Sequence, residues 1–350
     1  MSPDLLAVSP APCAPAPCAP PPPAPASCAT LLRRFTRPAR AGGKLRFEGA
    51  GARDVYNITA PFACGGARVI VARVEAREVE HADAMFFQEH PDGIWRPHPG
   101  AVVLHGLQDP CVARIAGEWV VGGVRFPARL ADGGTAWRME FYRGRALASL
   151  RHFLDGPDRM KDIRLVELPG GRVGVLTRPQ GAKGGRGKIG FYIADSLAAL
   201  NAPDIAAAPL LEDQCIDTEW VGANEAHLLP GGLLGVLGHI ACFDAREHRH
   251  YYPMTFHLDP ATRRTTPVRI IACRDDFPAG DSKRPDLADV VFSGGLLRRA
   301  DGTARLYSGL SDMEAGWLDL PDPFECKMKM ENEKCPDRPA PFAGGRPARG

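Results

Sequence analysis

Between residues 43 and 324 apolar residues come in short runs broken by Gly, Pro and polar clusters, and one arrangement recurs five times. An apolar-rich stretch of strand length meets a glycine turn, and a second such stretch follows. The five instances are NITAPFACGGARVIVARVEAR from Asn57, QDPCVARIAGEWVVGGVRF from Gln108, KDIRLVELPGGRVGVLTRPQ from Lys161, ANEAHLLPGGLLGVLGHIA from Ala223 and FSGGLLRRADGTARLYSGLSD from Phe292. The turn glycines, Gly66, Gly117, Gly171, Gly232 and Gly302, lie 51, 54, 61 and 70 residues apart. Two apolar-rich runs flanking a Gly turn read as an antiparallel hairpin, and a near-regular period of such units marks a repeat architecture. Helical periodicity is confined to DSLAALN, residues 195–201, so the crossover helices that a parallel α/β fold needs are missing. The pattern predicts an all-β fold, a five-bladed β-propeller spanning 43–324. A β-sandwich is the alternative.

The flanks differ in kind. Residues 1–42 are rich in Pro and Ala, and 325–350 are charged and then rich in Pro and Gly. Neither segment can bury a core, and both are predicted to be extended or disordered.

In a propeller the first strands of the blades line a central channel, so residues that open each unit converge although they are distant in sequence. Seven to nine residues before the turn glycines stand Asn57, Asp109, Asp162, Asn224 with its neighbour Glu225, and Ser293. Seven residues after their turns stand Arg73, Arg178 and His239, at matched positions on one strand face. Carboxylates and amides around one axis, with cationic groups beside them, suit an anion or a sugar. A lone Asp-Pro such as Asp109-Pro110 is ordinarily a turn former, and only the recurrence of its position raises it above that.

Charge and cysteine usage narrow the partners. Lys and Arg number 43 and Asp and Glu 41, a net charge of +2, which argues against a nucleic-acid binder. No run of 18 apolar residues occurs, so no membrane-spanning helix is expected. The ten cysteines include no C-x-x-C pair, so reduced thiols in a cytoplasmic protein are expected, with no metal site and no cofactor. The loop RPQGAKGGRGKIGF lacks the spacing and hydroxyl residue of a phosphate-cradling P-loop, yet it sets Lys188 beside Arg178 as a possible phosphate contact. REHRHYYPMTFHLDP, with His248, His250 and His257, has no third ligand in view and reads as a surface hairpin. EWVGANEAH contributes Asn224, Glu225 and His227. Glu225 with Asp109 could form the carboxyl pair that glycosidic cleavage uses, set about 6.5–9.5 Å apart in inverting enzymes. Lys161 and Asp162 either hold sugar hydroxyls or form an internal salt bridge.

In order, the blocks YNITAPF, VARVEARE, LQDP, KDIRLVEL, LTRP, EWVGANEAH, LGHIACFD and DVVFSGGLLRRADGTARLYSGLSD resemble a five-bladed-propeller family of unknown function, itself similar to the β-mannoside phosphorylases. The resemblance covers about residues 50–320. It implies an enzyme of glycoside cleavage acting on a small carbohydrate, with inorganic phosphate as co-substrate. Asp109, in its Asp-Pro motif, then corresponds to the general acid, with its pKa expected to be raised. Arg178 and His239 correspond to phosphate ligands, and Lys161, Asp162 and Asn57 to sugar contacts. Two features depart from the pattern: Gly precedes His239 rather than following it, and Glu225 stands where small residues are usual. An inverting hydrolase with Asp109 as acid and Glu225 as base is therefore a second reading, and a non-catalytic sugar- or protein-binding propeller a third.

Overall fold

A computed structural model of the chain describes residues 25–37 and 41–325. All five turn glycines have positive φ, from 74° at Gly117 to 87° at Gly232, the backbone region that glycine enters without steric cost. Each turn joins two antiparallel strands, so the recurring pattern translates into five meanders.

The first meander holds Asp54–Tyr56, Phe62–Cys64, Ala67–Glu75, Ala82–Glu89 and Ile94–Pro97, completed by Arg46–Phe47 and Leu104–His105 into a seven-stranded sheet. The second is the four-stranded sheet Leu107–Ile115, Glu118–Arg129, Thr135–Gly144 and Arg151–Asp155. The third has three strands, Arg164–Glu167, Val173–Thr177 and Gly190–Ala194. The fourth, Trp220–Leu228, Leu234–Phe243 and Arg249–Leu258 with the short Arg269–Ile270 on its edge, and the fifth, Asp289–Arg298, Thr303–Leu310 and Glu314–Pro321, fuse, with Gly42–Lys44, into one eight-stranded sheet. They join where His250 and Tyr251 pair in parallel with Asp289 and Val290. The short strand Gly42–Lys44 adds to the far edge by pairing with Glu314–Pro321.

The apolar faces are buried between consecutive meanders. Val69, Phe86, Leu107 and Val121 fill the space between the first and second. Ile115, Phe141, Ile163 and Val175 fill the next, and Val166, Phe191, Val236 and Met254 the one after. Leu237, Val291 and Leu306 lie between the fourth and fifth. Ile58, Phe87, Tyr307 and Ala315 then bring the fifth back against the first. Each side chain of this kind contributes about 1.5–3 kcal/mol on burial, so every meander is held on both faces by its neighbours.

Two expectations need correction. Residues 28–34, placed by composition in the disordered N-terminal segment, form a helix, Cys28–Arg34. Ser27 caps it, its Oγ accepting from Thr30 N at 3.2 Å. Cys28 and Leu31 are buried in the core of the third and fourth meanders, which is the stabilisation that a composition argument did not see. The segment 195–201 forms only a 3-10 turn, Leu197–Ala199. The helix follows at Ala202–Ala207, where Asn201 caps it by accepting from Asp204 N at 2.9 Å. Residues 1–24, 38–40 and 326–350 fall outside the described residues.

Candidate functional site

The residues that open the meanders share a backbone device. Asn57, Asp109 and Asp162 have φ of 44°, 47° and 58°, values that Asn and Asp tolerate better than other side chains. Asp109-Pro110 also forms a bulge, because Cys111 pairs with Gly122 and Gln108 with Val124. Asn224 is the bulged residue of the fourth meander, between the pairs Ala223–Gly238 and Glu225–Leu237. Gly294 is that of the fifth, next to Ser293. A bulge re-aims a side chain while the strand continues, so the same break recurs at the same height in the first strands.

Two clusters result. In the first, the Asp109 Oδ1 accepts from Asn57 Nδ2 at 2.7 Å and from Arg73 Nη1 at 3.1 Å. Arg73 lies 5.1 Å from the Tyr56 ring centroid and donates to Glu75 Oε2 through Nη2 at 2.7 Å. Glu75, fully buried, also accepts from Tyr56 and Lys283. In the second, Asp162 meets Arg178 Nη1 at 3.1 Å, Arg164 Nη2 at 3.7 Å and His239 Nε2 at 3.9 Å. His239 Nδ1 bonds Asn224 Oδ1 at 2.9 Å. Arg178 Nε donates to Val221 O, and Arg164 Nε to Asn224 O, both at 2.9 Å. The Lys161 charge acts on Asp109, Asp162 and His239 together, which ties the two clusters into one site.

Glycines make room for this packing. A Cβ on Gly222 would lie 2.5 Å from His239 Cε1 and 2.9 Å from Asp162 Oδ2, and one on Gly309 would lie 1.9 Å from Asn57 Oδ1. The Asn224 Nδ2 and Asn57 Oδ1 atoms are buried and have no hydrogen-bond partner among the described residues. Burying a polar atom unpaired costs about 1–3 kcal/mol, so two amides stand ready for an outside partner.

The electrostatics overturn one expectation. Burial pushes the Asp109 carboxyl up, but Arg73, Lys161 and the Asn57 hydrogen bond outweigh it and hold the group below its ordinary value. The raised carboxyl is instead Asp312, pushed up by burial and by the Asp109 charge against the opposing pull of Arg73, Lys283 and Lys161. Asp162 is also pressed up by burial, yet Arg178, His239, Lys161 and Arg164 bring it down to about 2. His239 goes the other way. Burial between the rings of Tyr251 and Phe292, at 5.1 and 5.7 Å, lowers it to about 3 despite the Asp162 charge, so it is neutral at pH 7.

Three predicted residues are placed elsewhere. The Glu225 Oε2 accepts from Leu296 N at 2.7 Å and pairs with His227 Nε2 at 2.8 Å. That carboxylate is engaged by the fifth meander's backbone and by His227, not by Asp109. Glu225 lines a cavity of about 280 Å³ with Arg114, Glu167, Cys111 and Phe141, which borders the Asp162 cluster through Arg164 and Asn224. Lys188 lies at the surface, its Nζ 2.8 Å from Asp217 Oδ1. Sequence reasoning missed Glu75, Lys283 and Asp312. Asp312, with Ser311, has positive φ (52° and 55°) in the turn after Thr303–Leu310, the same left-handed region that Asn57 and Asp109 enter.

Paired carboxylates and guanidiniums thus gather where the first strands of the packed antiparallel meanders begin. The chain belongs to a family described as a protein of unknown function, DUF1861, matched over residues 33–326. It is similar to the solved structure of MPT-4, a mannose phosphorylase from Leishmania mexicana in complex with phosphate ion, with 34% identity, a TM-score of 0.76 and coverage of 85% of this chain and 92% of that one. MPT-1, a GDP-Man-dependent mannosyltransferase from the same organism, is 30% identical with a TM-score of 0.77, covering 86% of this chain and 96% of that one. At 12% identity and a TM-score of 0.56, the β-1,2-mannobiose phosphorylase of Listeria innocua shares the fold, over 82% of this chain and 93% of its own. No curated protein sequence matches the chain. Among the described residues no helix is long and apolar enough to cross a membrane.

Proposed function

We propose that the protein is a mannoside-active glycoside phosphorylase on a five-bladed β-propeller, using inorganic phosphate as co-substrate. The observation that carries this reading is the unequal charge of the two clusters. Around Asp162 three cations, Arg178, Arg164 and Lys161, face one carboxylate, leaving a positive surplus for an anion. Around Asp109 the positive Arg73 and Lys283 balance the negative Asp109 and Glu75, while burial and the Asp109 charge disfavour ionisation of Asp312; that balance suits a neutral sugar. The similarity to a mannose phosphorylase and the succession of five inter-meander cores support the same reading.

In the reaction a phosphate oxygen bonds to the anomeric carbon, the bond from that carbon to the leaving oxygen breaks, and a proton goes to the leaving oxygen. Arg178 and neutral His239, with the free Asn224 amide, hold the phosphate; Asn57, Lys161 and Asp162 hold the sugar. Two carboxyls whose pKa values are driven apart divide acid and base roles. Asp312 keeps the proton and Asp109, ionised beside it, receives it and passes it to the departing sugar. The test is incubation with β-mannobioses and with GDP-mannose plus acceptor mannose, each with and without phosphate. Mannose 1-phosphate formed only when phosphate is present supports the proposal. Free mannose without phosphate would make the protein a hydrolase, transfer from GDP-mannose alone a transferase, and sugar binding without any turnover a binding protein.

A further inference from the structure

Apart from the polar site, one cluster has the chemistry of a metal centre. The Sγ atoms of Cys28 and Cys242 and a carboxylate oxygen of Glu219 all lie within 4.8 Å of one another. Cys28 and Glu219 are buried and Cys242 is half-buried. The three come from the N-terminal helix, from the turn before Trp220–Leu228 and from the strand Leu234–Phe243, so no local spacing joins them. Glu219 is already aimed inward: both of its oxygens accept from Cys28 N, at 3.0 and 2.8 Å.

His250 is the direct cross-strand partner of Cys242 but is engaged elsewhere. Asp289 Oδ2 holds its Nδ1 at 2.6 Å, and its Nε2 faces Asp244 Oδ2 at 3.6 Å. The cluster therefore offers three ligands of its own.

We propose that Cys28, Glu219 and Cys242 form a site for a borderline-soft divalent cation such as zinc, its fourth position left to solvent, which fastens the N-terminal helix to the fourth meander. Thiolate and carboxylate are among the ligand types that zinc takes. The cation would offset the negative charge of two thiolates and a carboxylate gathered in little space. The site serves attachment of the helix, not the chemistry at Asp109, so its occupancy and the glycoside reaction stand or fall separately.

The experiment uses the full chain, purified without an affinity tag and with reductant. Elemental analysis should find about one zinc per chain in the wild type and almost none in the Cys28→Ser/Cys242→Ser double variant. Cadmium added to the zinc-free protein should raise a thiolate-to-metal charge-transfer band that the double variant lacks. A chelator should lower the thermal midpoint of the wild type and leave the double variant unmoved. Equal metal in wild type and double variant, or free reduced thiols with no cadmium band, would overturn the proposal. So would peptide mapping that finds Cys28 and Cys242 joined as a disulfide in metal-free protein.

Discussion

Asp109 and Asp312 carry the sharpest predictions at the scale of single residues. Asp312→Asn removes the resting proton donor and should lower kcat by about 10²–10⁴-fold, the usual worth of general acid catalysis, with KM little changed. Activity of the wild type should fall as pH rises through the raised pKa of Asp312, and that alkaline limb should vanish in the variant; a pH–rate profile checks both. Stability answers to different groups. The Asp162 pKa is depressed to about 2, so its contribution, about 2 kcal/mol, is present above the ordinary carboxylate range and is lost as pH falls from about 4 toward 2. His239 is lowered to about 3. The unfolded chain therefore takes up a proton below about pH 6.5 that the folded one refuses, and stability drops from there downward. Urea midpoints measured from pH 7 to pH 3 should fall steadily, and less steeply in His239→Gln. Most of the site's members were legible in the sequence because they recur at one distance from a turn: Asn57, Asp109, Asp162, Asn224, Arg73, Arg178 and His239 all belong to the two joined clusters. Protonation states were not legible, since they depend on which cation faces which carboxylate across meanders. That is why the raised carboxyl was assigned to Asp109 rather than to Asp312.

At the scale of strands, the bulges decide what the hairpin pattern could not. A hairpin read from alternation and a turn glycine has an even pleat, and in an even pleat Asn224 and Glu225 point to opposite faces with no hint which one is aimed inward. The bulge sends Asn224 to His239 and leaves Glu225 to Leu296 N and His227. Lys188 was grouped with Arg178 because ten residues of loop separate them in sequence; the short helix Gly181–Gly184 carries the chain to the surface instead. Glycines in and beside the bulges also make room for this packing. Gly222→Ala would press a methyl against His239 and Asp162 and should cost about 1–3 kcal/mol of stability, with phosphate affinity reduced at least tenfold. Calorimetry of phosphate binding beside a denaturation curve separates the two effects. Gly294→Ala, whose Cβ would fall 1.6 Å from Ile58 O, should be worse, reducing soluble yield outright.

For the molecule as a whole, the five inter-meander cores were foreseeable from the repeat, whereas the N-terminal helix was not, because Pro/Ala composition up to residue 27 masked the two side chains that bury. Leu31→Ala should cost about 2–4 kcal/mol, measurable as a lower thermal midpoint with the glycoside reaction intact at low temperature. The pairing of Gly42–Lys44 with Glu314–Pro321 has a consequence for how the chain is made. The edge strand is synthesised before all five meanders, and its partner after nearly all of them. Throughout translation those first residues have no place to dock, and the meanders stack with their outermost edge bare. An unpaired edge is a template for foreign strands, and the contact that covers it spans almost the whole chain, the kind that forms slowly. Nascent chains stalled short of Glu314 should therefore aggregate with their own kind, while the full chain, with Glu314–Pro321 in place, does not.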